Sequence, residues 1–176
     1  MIKILTPIVS KQTVKLFNEQ ITQENQSSAE YLAMAIWADL QGYHGASYFL
    51  RKSADEERKH MLKFIAYLLE IGAEPILPAT KSINPNYSSL HAIFVAILQR
   101  ERNVTSAIHK LVEHAQTNKD YRTYHFLQWF VAEQREEELK SQRALELFTL
   151  IGKDGMALFM VDQEIKKLAE KEIAIA

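Results

Sequence analysis

A glutamate and a histidine, Glu57 and His60, lie three residues apart in the segment from Asp55 to Met61. Both follow the rhythm of the surrounding apolar residues, which recur at spacings of three, four and seven. Residues three apart lie on one face of a helix, and this face points to the core. Because a buried charge is costly unless it is paired or binds a metal, the spacing indicates a metal site. The alternative is a buried acid–imidazole hydrogen bond.

Three more acids interrupt apolar helical stripes elsewhere in the chain, namely Glu24, Glu101 and Glu137. Glu101 and Glu137 each lie about 18 residues from a predicted turn at 118–120, so they should face each other at one level. Glu24 and Glu57 lie at unequal distances from their own turn, which predicts a mismatch of about 9 Å at 1.5 Å per residue. An early end to the first helix, or a slack loop, would have to absorb that mismatch.

Four carboxylates and one imidazole form a mostly hard ligand set. Such a set suits iron or manganese better than zinc, which favours thiolates or several imidazoles. The ligands are too many for one octahedral ion that must also admit a substrate. They suit two ions that share a bridging carboxylate, as in bundle proteins with di-metal carboxylate centres.

The elements that must position these residues are helices. The sequence predicts an all-α four-helix bundle in a single domain, 1–176, with one long crossover and a short fifth helix. The helices are expected at about 10–41, 46–72, 89–117, 121–151 and 156–172. Ser10 is the expected first N-cap, and Gly72 ends the second helix. The proline-containing segment 73–88 is long enough to run back along a helix, so the second and third helices should be parallel.

Composition narrows the functional classes. The chain has 176 residues, a net charge of −1 and no cysteine, which excludes disulfides, iron–sulfur clusters and thiol catalysis. The near balance of acids and bases argues against nucleic-acid or membrane-surface partners. No apolar run is long enough to span a membrane, and the first residues do not form a signal peptide. We expect a cytoplasmic protein.

Several segments together resemble bacterial non-haem ferritins over nearly the whole chain. The matching segments are Leu16–Gln20, Phe49–Lys52, Glu56–Met61, Tyr87–Leu90 and Phe126–Gln134. The resemblance implies a ferritin-like fold and a homo-oligomeric hollow shell of twenty-four subunits. Such a shell oxidises Fe(II) with oxygen or hydrogen peroxide and stores Fe(III) mineral inside.

The resemblance also implies roles for individual residues. The first iron is expected on Glu24, Glu57 and His60, with Glu57 bridging to a second iron on Glu101 and Glu137. A third iron site is expected on Glu56, Glu133, Glu136 and Glu137. Gln134, Tyr31 and Trp129 match residues that lie beside the di-iron pair in the family.

Some positions depart from relatives of the family. Gln26 stands where relatives can have tyrosine, so an electron-donor role for that side chain is absent. Haem binding is not predicted, because Glu136 replaces the second histidine of haem-binding bacterioferritins. Rubrerythrin-like peroxidases need a cysteine-ligated iron, and this chain has no cysteine.

Two rival functions and several structural alternatives remain open on sequence alone. The chain could be a di-iron oxidase or peroxidase that stores nothing, or a non-catalytic bundle whose buried acids pair with arginine. The acids at 133, 136 and 138 could be a solvated charge run with Arg135 and Lys140. Tyr31 and Trp129 could simply fill the core.

Overall fold

Five α-helices make up most of residues 8–170, the part of the chain that the computed structural model describes. They are α1 (Lys11–Leu40), α2 (His44–Glu70), α3 (Leu90–Thr117), α4 (Tyr121–Leu150) and α5 (Gly155–Glu170). Within this range there is no β-strand, so the all-α prediction is confirmed. The expected end of the fifth helix at 172 lies outside the described residues. No helix between 8 and 170 is long and apolar enough to cross a membrane.

Short polar side chains begin three of the helices. The Ser10 hydroxyl accepts a hydrogen bond from the Thr13 amide at 3.1 Å and thereby caps α1. Ser89 and Asp120 cap α3 and α4 in the same way. Such side chains satisfy amides that have no partner within the helix. The second helix, α2, ends just before Gly72. This glycine has a φ of 75°, a left-handed conformation that favours glycine.

Two antiparallel hairpins, α1–α2 and α3–α4, pack into a four-helix bundle around two apolar clusters. One cluster joins the N-terminal halves of α2 and α3 to the C-terminal halves of α1 and α4 and to α5. The other joins the opposite ends of the four long helices. The shared ends show that α2 and α3 run parallel, as the long crossover predicted.

Side chains of α1 hold the crossover against the bundle. Asn18 accepts from the Ile76 amide at 2.7 Å, and Asn25 donates to the Pro78 carbonyl at 3.1 Å. Gln26 accepts from the Lys81 amide at 2.8 Å. Because an irregular segment has no internal ladder, such side chains must satisfy its backbone groups. Gln26, which stands where relatives can have tyrosine, therefore helps to hold the crossover in place.

A layer of buried polar residues separates the two apolar clusters. It lies near the middle of the long helices and includes Gln20, Glu24, Ser27, Glu57, His60, Glu101, Gln134, Glu137 and Ser141. Each of the four long helices runs from one apolar cluster, through this polar layer, into the other cluster. The stripes of apolar residues are thus interrupted at one common depth of the bundle.

The fifth helix docks onto the start of α2 through Asp162. Its buried carboxylate accepts from the Gly45 amide at 2.9 Å and from the Ala46 amide at 2.7 Å. It takes the place of a cap, because Tyr43 at the α2 N-cap makes no side-chain cap bond. The backbones approach so closely that a Cβ on Gly45 would lie 2.2 Å from the Asp162 carbonyl oxygen.

Replacing Gly45 with alanine should therefore destabilise the protein. Helix propensity alone predicts a gain of about 1 kcal/mol for this change. The clash with a backbone oxygen instead predicts a loss of about 2 kcal/mol or more in the free energy of unfolding, because the backbones must separate. Urea unfolding of the iron-free protein measures it. A Gly45→Ala variant as stable as the natural chain would show that α5 does not dock as described.

Candidate metal centre

Glu24 of α1 and Glu57 and His60 of α2 meet in the polar layer. One possible ligand atom from each residue lies within 4.8 Å of those of the other two, and all three side chains are buried. The Oε2 atoms of Glu24 and Glu57 accept no hydrogen bond among the described residues. Buried carboxylate oxygens without a partner are costly, and a bound cation would remove that cost.

The turn between α1 and α2 absorbs about half of the predicted mismatch between Glu24 and Glu57. Helix α1 already ends at Leu40, two residues before Gly42, and α2 begins at His44. These bounds reduce the expected offset to about 4 to 5 Å along the helix axis, at 1.5 Å per residue. A glutamate side chain can span that remainder. The early end to the first helix was one of the two explanations that the sequence allowed.

Burial governs the protonation of this group. Burial raises the pKa of Glu24, and the Gln20 amide opposes this by donating to its Oε1 at 2.7 Å. The pKa of Glu57 is raised well above its usual range by burial and then by the negative charges of Glu24 and Glu101. Burial lowers the pKa of His60 to about 4. At neutral pH the imidazole is therefore neutral and able to bind a metal.

Glu101 of α3 has two neutral hydrogen-bond partners, one on α1 and one on α4. The Tyr31 hydroxyl donates to Glu101 Oε1, and the Gln134 amide lies 3.3 Å from Oε2. Burial raises the pKa of Glu101, and these two hydrogen bonds oppose the rise. Because of that bond, Tyr31 does more than fill the core. Gln134 also donates to the Glu101 carbonyl oxygen at 3.3 Å, which fixes its orientation.

A lysine lies between two of the remaining acids. Lys140 donates to Glu137 Oε1 at 2.6 Å, and its Nζ lies 3.9 Å from Glu56 Oε2. Burial raises the pKa of Glu137 to about 7 even though this ammonium opposes the rise. Glu133 reaches the group from another direction, with its Oε1 3.9 Å from His60 Nε2. The acids of the expected third site are therefore partly inside the bundle rather than a fully solvated run.

Trp129 covers the His60 side of the centre. Its ring meets the imidazole edge to face at a centroid distance of 5.5 Å, and the Lys63 ammonium lies 3.6 Å from its centroid. The indole is 40% exposed, so the interpretation of Trp129 as a core-filling residue is wrong. It instead forms part of a wall between His60 and the surface.

Three residues of the centre were not singled out as functional from the sequence. Gln20 precedes Glu24 by four residues, and Lys140 follows Glu137 by three, so helical spacing could have identified both. Helical spacing did not identify Arg100. It donates to Ser27 Oγ at 3.1 Å and pairs with Glu30. Within residues 8–170 no arginine forms an ion pair with any of the four stripe acids.

The fold and this centre define a class of proteins, the four-helix bundles that hold metal with carboxylates from facing helices. The comparisons with known proteins agree. A family model described as "Ferritin-like domain" matches residues 14–151. The chain is 40% identical to a bacterial non-heme ferritin of Campylobacter jejuni over 162 residues, 92% of this chain and 97% of the relative. It is 35% identical to an Escherichia coli O6:H1 bacterial non-heme ferritin over 161 residues, 92% and 98% of the two chains.

Solved structures give the same result. An open pore ferritin from the archaeon Archaeoglobus fulgidus superposes with a TM-score of 0.87 at 39% identity. The match covers 90% of this chain and 97% of the archaeal one. The chain belongs to the ferritin-like family.

Proposed function

We propose that the chain is the subunit of an iron-storage ferritin with ferroxidase activity. Fe(II) is the substrate, and the buried carboxylate centre is the site of its oxidation. The proposal is supported most directly by Glu24, Glu57 and His60, whose ligand atoms lie within 4.8 Å of one another inside the bundle. The two partnerless carboxylate oxygens in that group are the acceptors that a cation needs.

The residues divide into two iron positions. Glu24, Glu57 and His60 hold the first Fe(II), and Glu57 bridges to a second held by Glu101 and Glu137. A mainly anionic ligand set stabilises Fe(III) over Fe(II) and so favours oxidation of the pair. Two Fe(II) give up two electrons, which with two protons reduce one oxygen molecule to hydrogen peroxide, or one hydrogen peroxide to two waters.

Tyr31 and Gln134 orient Glu101 by donating to its two oxygens. Hydrogen-bond donors of this kind hold a metal-ligating carboxylate in position before the metal binds. Trp129 shields His60 from the surface. The ferric product then hydrolyses and moves to the interior of a homo-oligomeric shell of twenty-four subunits.

A third iron is proposed on Glu56, Glu133, Glu136 and Glu137, beside the pair. Replacing Glu136 with alanine should change the oxygen consumed per iron, or the turnover of iron, while the first fast oxidation stays within about twofold of the natural rate. An oxygen electrode and stopped-flow absorbance measure the two quantities. Glu146, an exposed acid of the same helix, provides the control as Glu146→Ala. A Glu136→Ala variant with slow first oxidation would place Glu136 in the pair instead.

An aerobic Fe(II) titration of the iron-free protein tests the proposed function, combined with gel filtration of the product. Rapid oxidation and soluble loading with many irons per chain in a large particle is the expected result. Oxidation that stops at two or three irons per chain, with further iron precipitating, would leave a di-iron oxidase or peroxidase without storage. No bound iron at all would leave a non-catalytic bundle.

A further inference from the structure

We propose that the Lys140 ammonium acts as a tethered cation that competes with the third iron, so that this chain binds two Fe(II) tightly and a third only weakly. The inference rests on the proposed function, and it concerns the specificity of the same centre. It predicts a stoichiometry and an affinity that can be measured without turnover.

The first argument is the position of the ammonium among the acids. The Lys140 side chain is only 14% exposed, and its Nζ lies 2.6 Å from Glu137 Oε1 and 3.9 Å from Glu56 Oε2. Lysines are mostly exposed, and one that is largely withdrawn from water needs a charged partner. Two of the four acids of the third position therefore already have a cation between them when no metal is bound.

The second argument is distance. A metal ion bound to Glu137 Oε1 would lie at about 2.0–2.2 Å from that oxygen. The ammonium lies 2.6 Å from the same atom, so the two cations would compete for one oxygen and repel each other. The ammonium must withdraw before the metal can use Oε1. The flexible four-carbon stem of lysine permits withdrawal, at the cost of a charge-assisted hydrogen bond.

The first two irons do not compete with the Lys140 ammonium. Lys140 makes no hydrogen bond or ion pair with Glu24, Glu57 or Glu101 among the described residues. Glu137 has a second oxygen, Oε2, to which the ammonium donates no hydrogen bond. The second iron can take Oε2 while Lys140 keeps Oε1. The lysine thus acts on the third position and leaves the first two accessible.

Anaerobic Fe(II) titration of the iron-free shell by calorimetry tests the proposal. The natural chain should bind two Fe(II) tightly and a third weakly. Lys140→Met, which keeps the length of the side chain and removes its charge, should bind the third Fe(II) at least tenfold more tightly. Lys140→Arg keeps the charge and should leave the third affinity weak. Arg143→Met removes an exposed charge three residues further along α4 and should change nothing.

A third affinity in Lys140→Met equal to that of the natural chain would overturn the proposal, and so would tight binding of three Fe(II) by the natural chain. If Lys140→Met fails to assemble, Lys140→Gln provides the same comparison with a polar side chain. Absence of the two tight sites in the natural chain would instead overturn the proposed function. The two failures are therefore distinguishable in one set of titrations.

Discussion

Replacing Glu57 with glutamine should slow fast Fe(II) oxidation by about a hundredfold or more. Mutation of groups that merely orient a metal ligand typically costs 10- to 100-fold, and Glu57 is proposed to contact both irons. Glutamine keeps the size of the side chain but not its charge. Stopped-flow absorbance of the ferric product, with two Fe(II) added per chain, measures the effect.

The same variant should make the iron-free protein more stable by about 1 to 3 kcal/mol. Burial and the negative charges of Glu24 and Glu101 raise the pKa of Glu57, so folding must protonate a carboxyl that is ionised in the unfolded chain, and glutamine avoids that cost. Slow oxidation together with higher stability would exclude misfolding as the cause. Asp55→Asn, which removes an exposed charge from the same helix, should alter neither quantity. Natural oxidation rates in Glu57→Gln would contradict the assignment of Glu57 as the bridge.

Metal affinity should fall at least about tenfold between pH 8 and pH 6. Burial raises the pKa of Glu137 to about 7, so this carboxyl is mostly ionised at pH 8 and mostly protonated at pH 6. A metal must displace that proton, which alone predicts about a tenfold change, and the raised pKa of Glu57 adds to it. The His60 imidazole, with a pKa of about 4, has no proton to lose in this range. Titration with Zn(II), which undergoes no oxidation, measures the affinity.

The stability of the iron-free protein should change in the opposite direction. A carboxyl whose pKa is higher in the folded than in the unfolded chain contributes stability at low pH, and that contribution is lost as pH rises through the folded value. For Glu137 the loss from pH 5.5 to pH 8 is about 2 kcal/mol. The difference in unfolding free energy between the natural chain and Glu137→Gln isolates this contribution. A pH-independent difference would mean that Glu137 ionises normally.

Much of the fold was predictable because its information is local. The apolar spacing within each helix, together with Gly42, Gly72 and the prolines of the crossover, gives the five helices. The depth of the polar layer was also predictable, because Glu24, Glu57, Glu101 and Glu137 interrupt stripes that are otherwise apolar. Three of the ligand candidates indeed meet within 4.8 Å.

The features that could not be predicted from the sequence depend on contacts between segments that are far apart in the chain. Asp162 reads as an ordinary polar residue of a terminal helix, yet it caps α2, which precedes it by more than 100 residues. Trp129 matched a family position, but its exposure depends on how α4 is rotated in the bundle. Lys140 read equally well as a solvated charge, because spacing alone does not show that its ammonium points inward to Glu56.

The layer of acids between the two apolar clusters also sets an order for folding. Each hairpin forms from contacts that are close in sequence, whereas joining the hairpins requires closing the long crossover, which is slower. That last step buries the acids of both hairpins against one another. The barrier to assembly therefore contains the cost of dehydrating four carboxyls, and a metal that needs both hairpins can bind only after that barrier is crossed. Because only the second iron position draws on both hairpins, metal at that position should slow unfolding of the finished bundle and leave its rate of folding nearly unchanged.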